Sequence, residues 1–195
     1  MLKRGVKLMR VISGKYKGHP LKPVPNRLTR PTTDKVKEAL FQMIGPYFDG
    51  GNCLDLFAGS GGLGIEALSR GMDKVVFVDL HPKAIQTIHN NLKFLDLKDA
   101  AEVYRTDAFR ALKAAGKRGL SFQIIFLDPP YTKIAYEELL EEINTYQLLD
   151  TNGMIVCEHD ASEQLPNFHS NFEKVKTEVY GGTTAITIYH QQSTQ

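Results

Sequence analysis

The sequence predicts an α/β protein whose core is a parallel sheet covered by helices on both faces. Three observations carry that prediction. Short apolar runs alternate with helix-length amphipathic segments from residue 52 to residue 158, the pattern of a parallel sheet with crossover helices. A glycine-rich turn joins the first run to the first of these helices. Acidic residues stand at the ends of successive runs, which in an open α/β sheet is the edge where ligands bind.

The elements follow in order. Arg10–Val24 reads as a short β-hairpin, with strands over 10–13 and 19–24 and a turn at Gly14-Lys15-Tyr16-Lys17-Gly18. Prolines mark its edges. Asn26–Pro31 is a linker, and Thr32 or Thr33 can cap a helix that starts near Asp34, whose charge suits a helix N-terminus. Val36, Leu40, Met43, Ile44 and Tyr47 give that helix an apolar stripe. Strands are expected at 52–57, 74–79, 101–105, 122–127 and 153–158, and helices at 62–70, 82–95, 107–115 and 134–147. Two further strands, 173–180 and 184–189, joined at Gly181-Gly182, read as an antiparallel hairpin finishing the sheet.

Composition narrows the class. At 195 residues with 42% hydrophobic residues, the chain fits one domain with a real core. Its apolar runs fall short of the ~18 residues of a membrane span, and the start lacks the apolar region of a signal peptide. Cys53 and Cys157 sit in apolar runs and read as reduced core residues of a cytoplasmic protein. The histidines and cysteines show no metal-site spacing, so no metal is expected. The net charge of +2 conceals an asymmetry: residues 1–37 carry eleven Lys/Arg and a single acidic residue, Asp34. A basic arm on an acidic body suits a phosphate-backbone partner.

The chemistry centres on Asp55-Leu56-Phe57-Ala58-Gly59-Ser60-Gly61-Gly62-Leu63-Gly64. Glycines let the backbone adopt positive φ and let a ligand approach, and a helix start presents unpaired N–H groups at the same place. The spacing misses the dinucleotide fingerprint. Asp55 at the strand end would repel a diphosphate and attract a cation. A cofactor with an amine and a sulfonium and without phosphate, S-adenosylmethionine, fits better. Asp79 lies 24 residues after Asp55, near the offset at which an acidic side chain reaches a ribose diol. Asp107 could accept from an adenine amino group. Asp128-Pro129-Pro130-Tyr131 follows the 122–127 strand. Two prolines make a stiff turn that sets the Asp128 carboxylate and a proline carbonyl side by side as acceptors for an exocyclic amine. Tyr131 can stack on the base.

DLFAGSGGLG, VDLHPKA, TDAF and FLDPPY resemble, in order, the motifs of class I S-adenosylmethionine-dependent amino-methyltransferases. RVISGKYKGHPLKPVPNRLTRPTTDKVKEALF further resembles the bacterial 16S ribosomal RNA guanine-N2 methyltransferase family, which modifies guanine-966. The resemblance covers Arg10 to Tyr189. It implies a Rossmann-like, seven-stranded, mostly parallel sheet with an antiparallel last strand. Residues 1–31 would be a basic hairpin extension and linker, and 32–195 the methyltransferase domain. It implies that Asp55, Phe57, Gly59 and Gly61 hold the methionine end, with Ala58 and Ser60 between them. Asp79 and Leu80 would serve the ribose side, and Asp107 and Ala108 the adenine. Arg30, Pro31, Thr32 and Thr33 would close over the cofactor, and Asp128–Tyr131 would hold the guanine. Arg10, Lys15, Lys17, His19, Lys22 and Arg27 are the expected contacts to the RNA backbone. The expected substrate is small-subunit rRNA within a ribosomal particle, and the expected enzyme a cytoplasmic monomer. Family members look as if they start near Met9, so Met1–Leu8 reads as an extension. Competing readings are a DNA adenine-N6 methyltransferase, which shares DPPY, and a non-catalytic RNA-binding assembly factor.

Overall fold

The computed structural model describes residues 9–25, 32–130 and 135–192. The chain opens on β1 (Met9–Arg10) and β2 (Pro20–Leu21), an antiparallel pair with Met9 opposite Leu21. These strands are shorter than the expected 10–13 and 19–24. The reason is a competing acceptor: the Ile12 and Ser13 amides donate to the Glu66 carboxylate, both at 2.9 Å, instead of across the hairpin. Val11 and Leu21 still reach the core.

The first helix, α1 (Asp34–Ile44), starts where the sequence expects. The Val36 amide donates to Thr33 Oγ1, which caps the helix. Leu40, Phe41 and Ile44 are its buried stripe. Strands and helices then alternate: β3 (Asn52–Asp55), α2 (Gly62–Ser69), β4 (Lys74–Asp79), α3 (Pro82–Phe94), β5 (Ala101–Arg105), α4 (Ala108–Lys117), β6 (Phe122–Leu127), α5 (Tyr136–Thr145) and β7 (Leu149–Asp160). Pro82 at the start of α3 suits the first helical turn, where its missing N–H costs nothing.

The sheet continues through β8 (Phe168–His169), β9 (Phe172–Tyr180) and β10 (Thr184–Gln191), in the order β5-β4-β3-β6-β7-β10-β9-β8. Strands β3 to β7 pair in parallel, and β10 is antiparallel to both neighbours. One detail departs from the expected seven strands: two-residue β8 pairs onto the edge of the seven long ones, making eight. The final hairpin finishes the sheet as expected, with β10 lying between β7 and β9.

Side chains alternate across the sheet with period two, as the pleat requires. Cys53, Ile124, Phe126 and Val156 face a core roofed by α1, α2 and α3. Leu54, Ile125, Leu127, Ile155 and Cys157 face a second core under α4 and α5. Each strand therefore ends with its tip between two packed layers. Both cysteines are buried and free, in keeping with their reading as core residues. None of the described helices is long and apolar enough to cross a membrane.

Candidate active site

The strand order reverses at β3, whose neighbours are β4 on one side and β6 on the other. Crevices open at such reversals. The glycine turn leaves the tip of β3, and Asp128-Pro129-Pro130 leaves the tip of β6. One cavity lies between them. Asp55, Phe57, Ala58, Gly59, Ser60, Gly62 and Leu63 line one part, and Asp128, Pro129 and Pro130 another. The remaining wall is Met9, Pro23 and Val24 from the hairpin segment, with Thr32, Lys37 and Glu158.

The turn has the shape that its glycines allow. Gly61 adopts φ +83° in the left-handed region and starts α2 with no side-chain cap. A Cβ on Gly64 would come within 2.3 Å of the Phe77 ring, so only glycine lets α2 lie this close to β4. The Gly64 amide donates to Asp55 Oδ2 at 3.0 Å, and the Gly59 amide to Asp79 Oδ2 at 2.8 Å. The His81 amide donates to Asp79 Oδ1 at 2.9 Å. Asp79 thus ties the turn to the tip of β4.

Asp55 is buried, and burial pushes its carboxyl up to about 7; the Gly64 amide opposes this and the nearby Asp79 charge adds to it. Such a carboxylate, facing a cavity, is set up to gain from a cation. Lys37 supplies the opposite sign. Burial pulls its ammonium below the ordinary lysine range, against the attraction of Glu66. Its Nζ donates to the Arg10 carbonyl at 2.6 Å and lies 3.4 Å from Glu66 Oε2. A donor and an acceptor of opposite charge, a Cβ-free turn and an apolar wall fit a zwitterionic, phosphate-free cofactor such as S-adenosylmethionine.

The sequence-expected residues do not all meet in the cavity. Asp55, Phe57, Ala58, Gly59, Ser60, Thr32 and Asp128–Pro130 do. Gly61 shapes the turn, and its amide is taken by the Ala58 carbonyl at 2.7 Å. Asp79 is adjacent through Gly59. Leu80 is exposed beyond β4, and Ala108 is buried in α4. Asp107 caps α4 by accepting from the Arg110 amide at 3.0 Å and pairs with the Arg110 guanidinium. Thr33 is occupied as the α1 cap. Arg27, Arg30, Pro31 and Tyr131 lie outside the described residues. Arg10 pairs with Asp34 at 3.0 Å, while the side chains of Lys15, Lys17, His19 and Lys22 are exposed on the hairpin segment.

Four residues of consequence escape a reading of the sequence alone. Glu66 accepts from two hairpin amides, from Arg70 Nε at 2.9 Å and pairs with Lys37. Ser69 Oγ accepts from the Tyr16 amide at 3.0 Å and donates to the Ser13 carbonyl at 2.6 Å. Asn91 of α3 accepts from the Lys22 amide and donates to the Lys22 and Ser60 carbonyls. The hairpin backbone is therefore clamped to α2, α3 and the turn, with its basic side chains outward. The fourth, Glu158, closes the far wall beside Asp128. Burial pushes its carboxyl up, and the Thr32 hydroxyl, donating to Oε2 at 2.8 Å, opposes this only in part. The Glu in α2 reads as an ordinary helical glutamate, and Glu158 as the polar end of a strand. Only the partners reveal either.

The family described as Conserved hypothetical protein 95 matches residues 9–190. The chain belongs to this family. It is 56% identical over 184 residues to "Putative rRNA methyltransferase YlbH" of Bacillus subtilis (strain 168), covering 94% of this chain and 100% of that one. It is 31% identical over 186 residues to "Ribosomal RNA small subunit methyltransferase D" of Escherichia coli (strain K12), covering 95% and 91%. Among solved structures, "Putative methyltransferase yhhF from Escherichia coli" superposes with a TM-score of 0.82 at 30% identity, covering 96% of this chain and 99% of that one.

Proposed function

We propose that this protein transfers a methyl group from S-adenosylmethionine to the exocyclic N2 amine of a guanine, guanine-966, in small-subunit ribosomal RNA. Methylation of ribosomal RNA is the activity named for relatives that align along nearly the whole chain. The guanine N2 target rests on the resemblance of the N-terminal segment and on the site. The observation that carries the reading is the shared cavity: the tip of β3 and the tip of β6 open into the same space.

The cofactor, when bound, supplies an electrophilic methyl on a sulfonium. Asp55 would hold its ammonium, and Lys37 offers a positive charge to its carboxylate. Asp79 and the exposed Leu80 suit a ribose and an apolar ring face. Asp128 and a neighbouring proline carbonyl accept the two amine hydrogens of the base. The amine lone pair, otherwise delocalised into the ring, is then aimed at the methyl. Positioning of this kind supplies up to ~7–11 kcal/mol of a barrier. As the N–C bond forms and the S–C bond breaks, the nitrogen sheds one proton, and Asp128 is placed to accept it. The base reaches Asp128 by leaving its stack, while the exposed lysines of the hairpin meet the RNA backbone. Residues 1–31 are in this reading a basic docking extension and linker, whose Met9, Pro23 and Val24 also wall the cavity, and 32–195 are the methyltransferase domain. In this reading the enzyme acts as a cytoplasmic monomer on a ribosomal particle, which supplies the choice of nucleotide.

Mass spectrometry of small-subunit rRNA from cells lacking the protein tests this directly. One N2-methylguanosine should vanish. The wild-type gene should restore it, while Asp128→Ala should not, although that purified variant still binds S-adenosylhomocysteine. Persistence of the modification, or near-wild-type turnover by the variant, overturns the proposal. Methylation of purified duplex DNA in place of ribosomal particles would point to the adenine-N6 reading.

A further inference from the structure

Glu158 is a third carboxylate in the cavity, after Asp55 and Asp128, and the chemistry above does not use it. Strands β6 and β7 run parallel with Leu127 beside Cys157, so the next residues along are neighbours: Asp128 just past the end of β6 and Glu158 two residues before the end of β7. Adjacent strands lie about 4.8 Å apart, which suits two groups that read one edge of one ring. Both residues line the cavity. Glu158 is 7% exposed. Its position is fixed on two sides: the Thr32 hydroxyl donates to Oε2 at 2.8 Å, and the Tyr136 hydroxyl donates to its main-chain carbonyl at 2.5 Å. Burial holds this carboxyl above the ordinary glutamate range and the Thr32 donor on Oε2 only partly opposes that, so the ionised form is completed by a ligand donor at Oε1. A buried carboxylate is costly unless something pairs with it.

We infer that Glu158 selects guanine by accepting its ring N1–H, beside the exocyclic amine held at Asp128. This rests on the guanine-N2 reading above and adds the source of base selectivity. An Asp-Pro-Pro corner grips an exocyclic amine on either purine, so it does not itself choose between them. The neighbouring ring position does. Guanine carries a hydrogen on N1 next to its amine, and adenine carries a lone pair there. An ionised carboxylate attracts the first and repels the second. Glu158 therefore does two things at once: it completes a pair of acceptors for guanine's two adjacent donors, and it excludes adenine.

The test uses 2-aminopurine, which keeps the N2 amine of guanine but has an unprotonated N1. Small-subunit particles are reconstituted with guanine or 2-aminopurine at the methylated position, and kcat/KM is measured for each with radiolabelled S-adenosylmethionine. The wild type is expected to prefer guanine by about 100-fold or more, as sites built to pair a substrate N–H reject analogues that lack it. Glu158→Gln can present an amide N–H to N1 and is expected to shrink that preference by about tenfold or more. Its affinity for S-adenosylhomocysteine reports that it has folded. A loss of packing alone would depress both substrates together and leave the ratio unmoved. Guanine methylation without discrimination by the wild type overturns the inference whatever the variant does. An unchanged ratio in a folded Glu158→Gln overturns it as well. Absence of any N2 methylation on guanine particles would sink the functional reading itself, and the two failures are thereby told apart.

Discussion

Asp55→Asn isolates the charge on which the proposed cofactor site is built. Asp55 has an ordinary value of 3.8 and is held at about 7 in the folded chain, chiefly by burial. In the unfolded chain it ionises first, so between these values the folded state holds the extra proton. Stability from this group is full below pH 3.8 and is lost as pH rises through about 7. The gap of about three units corresponds to about 4 kcal/mol at 1.36 kcal/mol per unit. Between roughly pH 5 and 8 the loss is about 2.5 kcal/mol. Asparagine keeps an oxygen for the Gly64 amide and carries no titrating proton. The stability of Asp55→Asn relative to wild type should therefore rise by about 2.5 kcal/mol across that range. The penalty for its unpaired NH₂ is constant with pH and drops out of the comparison. Urea denaturation of both proteins at each pH reads this directly. Calorimetric titration should show the opposite sense for S-adenosylmethionine. The wild type binds more tightly as pH rises through 7, and the variant binds weakly at every pH, by about 2–5 kcal/mol, the cost of removing one partner of a buried charged pair. A variant that tracks the wild-type stability at both pH values and binds the cofactor equally well would refute the reasoning.

Three further outcomes follow from the clamp on the hairpin. Glu66→Ala leaves Arg70 and Lys37 buried without their shared partner and two hairpin amides without an acceptor, so denaturation should show a loss of about 3–5 kcal/mol. A loss under 1 kcal/mol would mean the hairpin does not depend on this carboxylate. Gly14→Ala places a Cβ 1.8 Å from the Ser69 carbonyl oxygen at a φ of +84°, which should speed hydrogen exchange at the Lys15 and Tyr16 amides and spare the sheet. Unchanged exchange there would show that the turn relaxes freely. Charge reversal of both Lys15 and Lys17 should lower the salt dependence of RNA binding by about two counterions, at about 0.7–0.9 per phosphate contact. An unchanged slope would take these lysines out of the interface.

The legible parts of this protein are those where local chemistry and tertiary outcome coincide. The alternation of apolar runs marked β3 to β7 because a strand buried on both faces must be apolar throughout. Thr33 capped α1 because its side chain is the nearest acceptor for the orphan amides. The glycine turn and the Asp-Pro-Pro corner were legible because each needs a backbone that few residues allow. The sequence predicts longer hairpin strands than form because the Ile12 and Ser13 amides find a carboxylate 54 and 53 residues away. In the sequence Asp107 reads as a ligand residue, yet it also sits where a helix needs a cap. Both jobs suit the same residue type, and the sequence does not rank them.

The sequence by itself determined the class of fold, the two strand tips that open into one cavity and the basic arm. It did so because pattern, glycine and proline act within a few residues of themselves. Tertiary structure alone decided where β10 inserts, how the arm is held and that Glu158 stands beside Asp128. Those facts depend on which buried groups found partners across the sheet, and a buried carboxylate's partners are set by the packing of distant segments rather than by its neighbours in the chain.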